Sequence, residues 1–143
     1  MLASSSGSRF ADVVIELTTA NLLMSAPRNP AHERFDGILT WIECELPRAE
    51  LSVQEVAAAH HMSVRSLQLL FQRHGSTFSD WVRGERLRRI RADLADEQYQ
   101  GVGIAGIASG WGMPDATNFA VAFRRAYGET PSAFRAAAMP ARP

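Results

Sequence analysis

Apolar residues recur every three or four positions along most of the chain, and no alternating pattern long enough for a strand interrupts them. This spacing aligns apolar side chains on one face of a helix and predicts an all-α protein. One amphipathic helix is predicted within residues 10–26. A second is predicted from Phe35 to Leu46, where Pro47 ends it.

Capping signals mark where the later helices begin and end. Ser52 stands three residues before Glu55, the spacing of a capping box, and predicts the start of a short helix. The helix after it is predicted to end at Gly75. Its inward face is predicted to hold Leu67, Leu70, Phe71 and His74.

A long helix is predicted between the two halves of the chain. Thr77 and Asp80 open this helix, which runs over about residues 77–96 and is followed by a linker at residues 97–103. A short helix comes next, and then a longer one that ends at Gly128. The inward face of this longer helix is predicted to hold Phe119, Ala122, Phe123 and Ala126.

An internal repeat gives the strongest indication of architecture. Phe71 matches Phe123 at an offset of 52 residues, and Gly75 matches Gly128 at an offset of 53. Each unit consists of a short helix, a tight turn, a longer helix and a glycine, which is the pattern of a helix-turn-helix. Two copies separated by a long helix are too few for a helical solenoid.

Charge is distributed unevenly along the chain, although its formal net charge is zero. All 15 basic residues are arginines. Residues 1–62 hold 4 Arg and 8 acidic residues, whereas residues 63–143 hold 11 Arg and 7 acidic residues. A basic C-terminal half indicates a polyanionic partner, although a solvated face explains most single Arg runs.

Catalytic and metal-binding patterns are weak. Cys44 is the single cysteine, which excludes an internal disulfide, and no Cys/His spacing predicts a zinc site. Because Cys44 lies between apolar neighbours, a buried thiol is expected rather than a nucleophile. The sequence contains no Gly-rich phosphate loop, HExxH or GxSxG motif. We therefore expect no enzyme activity, no metal and no cofactor.

Targeting and membrane-spanning patterns are weak as well. Asp12, Glu16 and Asn21 interrupt the segment 10–26, unlike the core of a signal peptide. No apolar run is long enough to cross a bilayer. The sequence predicts a soluble, cytoplasmic protein.

Two sets of motif positions carry a family resemblance. The first set comprises Leu51–Ala57, Met62–Leu67, Phe71, Gly75 and Glu85–Leu87. The second and more specific set comprises Ile107-Ala108, Trp111–Ala116, Phe119, Phe123-Arg124, Gly128, Thr130–Ser132 and Phe134-Arg135. At this spacing, residues 31–137 resemble the DNA-binding domain of AraC/XylS-type transcriptional regulators. Met113 stands where that family usually has Phe, and Ala120 and Val121 stand where it more often has polar or basic residues.

The resemblance implies two helix-turn-helix subdomains joined by a long linker helix, with an extra N-terminal helix in front. Residues 1–29 are expected to be an N-terminal extension that resembles the last helix of a regulatory domain. Residues 30–137 are expected to be the DNA-binding domain and residues 138–143 a tail. Its predicted parts are a first helix-turn-helix at about 51–76, the linker helix at about 77–96 and a second helix-turn-helix at about 103–128.

Each second helix of a unit is expected to lie in a major groove with one face toward the base edges. In related family members, positions that match Arg65, Gln68 and Leu69 contact bases. The full set of residues predicted to contact bases is Arg65, Gln68, Leu69, Gln72, Thr117, Asn118 and Val121. The residues predicted to contact phosphates are Ser52, Ser66, Arg73, Asp115, Arg124 and Arg125.

The long helix carries five further arginines: Arg83, Arg86, Arg88, Arg89 and Arg91. At ~1.5 Å per residue, about eighteen residues span ~27 Å, which with the flanking helices approaches the ~34 Å of one DNA turn. Most of these arginines are expected to be solvated or paired with Glu85, Asp93 and Asp96, which leaves one or two for phosphates.

The function implied by the resemblance is sequence-specific binding of double-stranded promoter DNA by a transcriptional regulator. Many relatives also contact RNA polymerase, and the DNA-binding domain alone is expected to be a monomer. A rival interpretation is a helical interaction module that has lost DNA binding. The zero net charge and the apolar pair Ala120-Val121 favour the rival.

Overall fold

The computed structural model describes residues 29–140. All regular structure in this range is helical, so the predicted all-α class is confirmed. The helix predicted within residues 10–26 lies outside the described residues. The seven α-helices and one 3-10 turn are α1 Pro30–Glu45, α2 Val53–Ala59, α3 Val64–Arg73, α4 Phe78–Leu94, the 3-10 turn Glu97–Tyr99, α5 Ile104–Gly110, α6 Ala116–Tyr127 and α7 Pro131–Ala138.

Side-chain caps begin five of these helices. Before α2, α3, α4, α6 and α7, a Ser, Thr or Asp oxygen accepts the backbone N–H of the residue three positions on. Each cap pairs a donor that the helix leaves open and contributes about 1 kcal/mol. The capping residues are Ser52, Ser63, Thr77, Asp115 and Thr130.

Of the capping box predicted at the start of α2, the Ser52 half forms, while the Glu55 carboxylate binds an arginine. Ser52 accepts the N–H of Glu55 at 3.2 Å, as predicted. The carboxylate of Glu55 binds the guanidinium of Arg48, with 2.5 Å between oxygen and nitrogen. Arg48 also binds Glu45 at 2.7 Å, and the bonds to the two carboxylates raise its pKa. Arg48 therefore joins the end of α1 to α2.

Phe71 of α3 lies at the centre of the first subdomain. Its ring is fully buried, and its centroid lies 5.9 Å from that of Phe78 and 6.4 Å from that of Trp81, both on α4. These contacts fasten α3 to the start of the long helix. The other buried residues of this region are Ile38, Ile42, Leu46, Val56, Ala57, Leu67 and Val82.

The second half of α4 belongs to the core of the second subdomain. Phe123 of α6 is fully buried, and its ring lies 4.9 Å from that of Tyr127 and 5.9 Å from that of Phe134 on α7. The two helix-turn-helix units thus share one long helix, as predicted. The buried members of this second cluster are Leu87, Ile90 and Leu94 of α4 with Ile107, Ala108, Phe119 and Phe123.

A half-buried junction joins the end of α1, the middle of α4 and the turn between α5 and α6. Arg86 donates to the carbonyl of Leu46 at 2.9 Å and to that of Arg48 at 2.5 Å. Burial lowers the pKa of Arg86, and the carboxylate of Glu50 opposes that shift. The α5–α6 turn meets the same point at Gly112, where a Cβ would lie 2.7 Å from the Leu46 oxygen and 2.9 Å from Arg86.

Two residues predicted to face inward are exposed. His74 lies at the surface because α3 ends at Arg73, and its ring Nδ1 lies 2.9 Å from the carbonyl of Leu70. Ala126 is exposed because the inward stripe of α6 advances in steps of four residues, from Phe119 through Phe123 to the half-buried Tyr127.

One other expectation needs correction, and the structure contains two elements that were not predicted. Cys44 is exposed, because it lies midway between the buried Ile42 and Leu46 and so points away from their side of α1. The linker predicted at residues 97–103 contains the 3-10 turn. The closing helix α7 was missed, although Thr130 as N-cap and proline in the first turn are the signal for a helix start.

Truncation of either central phenylalanine should strongly destabilise the protein. Phe71→Ala and Phe123→Ala each remove a side chain that is 0% exposed, so each should lower the free energy of unfolding by about 3–5 kcal/mol. Urea denaturation followed by circular dichroism measures the loss. Val121→Ala is the control, since Val121 is 54% exposed and its loss should stay within about 0.5 kcal/mol. Unfolding curves of the two Phe variants that match wild type would contradict the burial.

Gly112→Ala should cost more stability than Gly75→Ala. Both glycines have positive φ, +84° and +75°, so both variants pay the strain of a left-handed alanine, about 1–2 kcal/mol. Only at Gly112 does the new methyl meet other atoms, so overpacking should add about 1–3 kcal/mol. Equal losses in urea denaturation would show that the junction tolerates a side chain.

Candidate nucleic-acid interface

The two units build the same turn in front of their second helix. The N–H of Met62 donates to the carbonyl of Ala57 at 2.9 Å, and the N–H of Met113 donates to that of Ala108 at 2.9 Å. The residue before each methionine has positive φ, +53° at His61 and +84° at Gly112. The repeat seen in the sequence is therefore a repeat of backbone hydrogen bonds.

The turns present α3 and α6 with one face buried and one face open. The residues predicted to contact DNA lie on the open face, apart from Ser52, which is half-buried at the start of α2. Leu69 and Val121, which are 42% and 54% exposed, are the large apolar side chains on these open faces. The exposed residues are Arg65, Ser66, Gln68, Leu69, Gln72, Arg73, Thr117, Asn118, Val121, Asp115, Arg124 and Arg125.

Four exposed arginines on these two helices carry charge that is not neutralised internally. Arg65 and Arg73 lie on α3, and Arg124 and Arg125 lie on the last turns of α6. Within residues 29–140, the ion pairs involve other arginines, on α4 and at Arg48. A phosphate that approaches these helices meets guanidinium groups with no carboxylate to displace.

Asp115 has a different role from the arginines. Its Oδ1 accepts the N–H of Asn118 at 2.9 Å and caps α6. A carboxylate has no proton to donate and repels a phosphate, so the first-turn backbone N–H groups are the donors here. The predicted phosphate contact at Asp115 stays a prediction about that backbone turn.

The arginines of α4 mostly serve the fold. Arg88 binds Glu85, as predicted, through bonds of 2.8 to 3.3 Å. Arg91 lies 4.9 Å from the ring centre of Tyr127 and 4.8 Å from that of Phe134. The roles of Arg91 and Arg86 were not predictable from the sequence, because an aromatic face or a backbone carbonyl leaves no charge pattern.

Two predicted acidic partners bind other groups. Asp93 accepts the indole N–H of the half-buried Trp111 at 2.7 Å, and Asp96 caps the 3-10 turn. Arg89 lies 5.6 Å from the Trp111 ring centre and 3.6 Å from a carboxylate oxygen of Glu43. The acids near α4 are therefore part of the packing around Trp111 as much as counter-charges.

Metal and membrane features are absent from the part of the chain that the structure describes. No group of three or more His, Cys, Asp or Glu side chains within residues 29–140 is placed to hold a metal ion. Among the helices described, none is both long and apolar enough to cross a membrane.

Comparisons with known proteins agree with this geometry. A family model described as a helix-turn-helix domain matches residues 49–137. The transcriptional activator RhrA of Rhizobium meliloti is 34% identical over 77% of this chain and 35% of its own length. The XylDLEGF operon transcriptional activator of Pseudomonas putida is 37% identical over 73% of this chain and 32% of its own. The chain thus spans about a third of the length of these relatives.

Solved structures share the fold. The C-terminal domain of AraT, a response regulator from Geobacillus stearothermophilus, aligns with a TM-score of 0.68 and 22% identity over 82% of this chain and 93% of that one. The DNA-binding domain of AdpA, a global transcriptional factor solved with a target DNA, aligns with a TM-score of 0.63 and 24% identity over 77% and 93%.

Taken with the two repeated turns and the shared linker helix, these matches place the chain in a family. It belongs to the AraC/XylS family of helix-turn-helix, DNA-binding transcriptional regulators, as the resemblance implied. The family consists of transcription regulators and not of enzymes.

Proposed function

We propose that this chain binds promoter DNA by inserting α3 and α6 into two adjacent major grooves on one face of the duplex. The observation that carries the proposal is the pair of open helix faces, each bearing unpaired arginines, on one shared helix. The 17 residues of α4 span ~26 Å at ~1.5 Å each. Together with the width of the flanking helices, this length of α4 matches the ~34 Å that separates successive major grooves.

The open face of α3 suits base recognition. Arg65 can bind guanine O6 and N7 with two bonds, and Gln68 and Gln72 can bind adenine N6 and N7. Leu69 offers its exposed apolar surface to a thymine methyl group. Ser66 and Arg73 lie beside these residues, and Ser52 begins α2 where the chain enters the unit, so we assign these three to phosphates.

The open face of α6 is less suited to directional contacts. Thr117 and Asn118 are its polar candidates for base edges, and Val121 offers an apolar contact. Arg124 and Arg125 lie one to two helical turns after these three residues. We assign both arginines to phosphates, together with the backbone N–H groups of the turn at Asp115. The second unit thus contributes more to affinity than to sequence preference.

The assembly and cellular context follow from the same arrangement. Because one chain carries two recognition helices, we propose that the DNA-binding domain acts as a monomer on a site without twofold symmetry. The relatives are named transcriptional activators, which supports a contact with RNA polymerase at the promoter. Such a regulator works in the bacterial cytoplasm, on the nucleoid.

A protein-interaction module without DNA binding is the second candidate. The exposed Val121 next to Ala120 and the zero net charge favour it. The two candidates differ in their response to salt. Contacts to phosphates release counterions, so the logarithm of the DNA affinity falls linearly with the logarithm of salt concentration, by ~0.9 per contact.

We expect a footprint of about twenty base pairs with two protected major grooves on one face of the duplex, because the proposed binding mode places the recognition helices in grooves one DNA turn apart. DNase and hydroxyl-radical footprinting on a selected site measures this. The site should lack a palindrome, since the two units differ in sequence. A single protected half-turn would contradict the two-groove mode, whereas the absence of salt-dependent DNA binding would favour the interaction module.

The two units should differ in how they affect sequence preference. Arg65→Ala or Gln68→Ala should relax the preference at particular bases by about 1–3 kcal/mol, because each removes a directional base contact. Arg124→Ala should weaken binding to all sequences and reduce the salt slope by about one. Selection from random DNA with each variant tests this. A more sharply defined half-site under α6 than under α3 would overturn the assignment.

A further inference from the structure

Two clefts meet at the start of α4 and connect the two recognition helices. The first, of about 280 Å³, extends from Gln68 and Gln72 on α3 to the segment Thr77–Ser79. The second, of about 310 Å³, extends from Phe78 and Ser79 along α4 to Asn118 on α6. Phe78 and Ser79 line both clefts, so they form a continuous surface from one recognition helix to the other.

Arg83 occupies the middle of this surface. It lies four residues after Ser79, and therefore on the same side of α4. It lines the second cleft together with Asn118, and it also lines the neighbouring groove that holds Val121 and Arg125. Arg83 thus lies beside the side chains of α6 assigned to the second major groove, on the surface that leads back through Ser79 to α3.

Arg83 is also the least engaged of the α4 arginines. Arg86 binds two backbone carbonyls and Arg88 binds Glu85 through three bonds. Arg91 lies against two aromatic rings. Arg83 makes one bond of 3.3 Å to Asp80, with both side chains more than half exposed. An exposed pair of this kind is worth at most about 1 kcal/mol, so another anion can replace Asp80 at little cost.

We propose that Arg83 binds a phosphate of the DNA backbone that crosses α4 between the two major grooves, and that it exchanges Asp80 for that phosphate. The inference rests on the proposed binding mode: a duplex that places two successive major grooves on α3 and α6 must run its intervening backbone over this surface. Arginine suits the contact because its planar fork binds two phosphate oxygens at once. The hydroxyl of Ser79 provides a second donor on the same side of the helix.

The first test compares Arg83→Gln with Arg88→Gln. Both substitutions remove one positive charge from an exposed position of the same helix, but Arg88 lines neither cleft. Fluorescence anisotropy with a labelled duplex that carries the selected site gives the affinity across a salt series. Arg83→Gln should reduce the salt slope by ~0.9, which corresponds to about eightfold weaker binding at ~0.1 M salt. Arg88→Gln should leave the slope unchanged.

The outcomes separate this inference from the proposed function. Wild-type protein that shows no salt-dependent DNA binding would overturn both. Wild-type binding with equal effects of Arg83→Gln and Arg88→Gln would overturn the phosphate contact alone. A loss for Arg83→Gln that is confined to duplexes with an A·T-rich centre would also overturn it, because such a loss indicates readout of a narrow minor groove.

A chemical change in the DNA tests the contact directly. Neutral methylphosphonates replace single phosphates along the segment between the two grooves. One or two of these should weaken wild-type and Arg88→Gln protein but leave Arg83→Gln unaffected. If every position weakens all three proteins equally, Arg83 does not contact the backbone there.

Removal of the competing carboxylate should have the opposite effect. Asp80→Asn keeps the N-terminal cap of α4, because Thr77 accepts the backbone N–H of residue 80. This variant should bind about two- to fivefold more tightly, the range that an exposed ion pair allows. Glu85→Gln is the matched control, since it removes the same charge and releases Arg88 instead. A gain for Asp80→Asn that persists in full in the Arg83→Gln background would contradict the exchange.

Discussion

The guanidinium of Arg86 is the contact on which the arrangement of the two helix-turn-helix units depends. It pairs two carbonyls just beyond the end of α1, and it does so from the middle of the helix that both units share. A guanidinium has five donors in a fixed plane, so one side chain holds two carbonyls of the segment after α1 at once. The backbone of Gly112, in the turn before α6, closes against the same carbonyl. The direction of the second recognition helix is thereby tied to the first subdomain.

This constraint changes the meaning of the charge distribution. The C-terminal half carries the excess of arginines, yet several of them are committed to the fold: Arg86 at carbonyls, Arg88 at Glu85, Arg91 at aromatic rings. An arginine held in this way contributes to the long-range field but is not free to bind a phosphate. Within residues 63–140, the arginines that remain available lie on α3 and α6, at the two ends of the proposed interface, and at Arg83 on α4. The free charge therefore follows the expected path of the DNA more closely than the total charge does.

The architecture was predictable because its signals are local. Helical spacing, caps such as Thr77 and stops such as Gly128 lie within a few residues of the features they specify, and the repeat doubles each signal. The predictions were wrong where they depended on which side a residue faces near the end of a helix. His74 lies past the last turn of α3, and Ala126 falls off a stripe that advances by four residues.

The junction was not predictable, since its partners lie far apart in the chain. Arg86 binds carbonyls 38 and 40 residues away, and a backbone acceptor leaves no mark on the side-chain pattern. The open faces of α3 and α6 were predicted from helical spacing, as the faces opposite the apolar stripes, and the resemblance added base contacts at Arg65, Gln68 and Leu69. The sequence does not indicate which arginines of α4 remain free. Aromatic rings and backbone carbonyls that bind some of them come close only in the folded protein.

The turns of the two helix-turn-helix units differ because only the second turn contacts the junction around Arg86. In the first unit, His61 adopts φ +53° in an exposed turn, where a side chain costs backbone strain but meets no obstacle. In the second unit, the equivalent residue is glycine, and the Leu46 carbonyl would lie 2.7 Å from any Cβ. The second turn is thus held against α1, whereas the first is open. In the proposed binding mode, a unit fixed in this way sets where its helix meets the duplex, and we assign its side chains to affinity more than to sequence preference. The apolar pair Ala120-Val121 and the two arginines on α6 without a carboxylate partner within residues 29–140 fit that proposal.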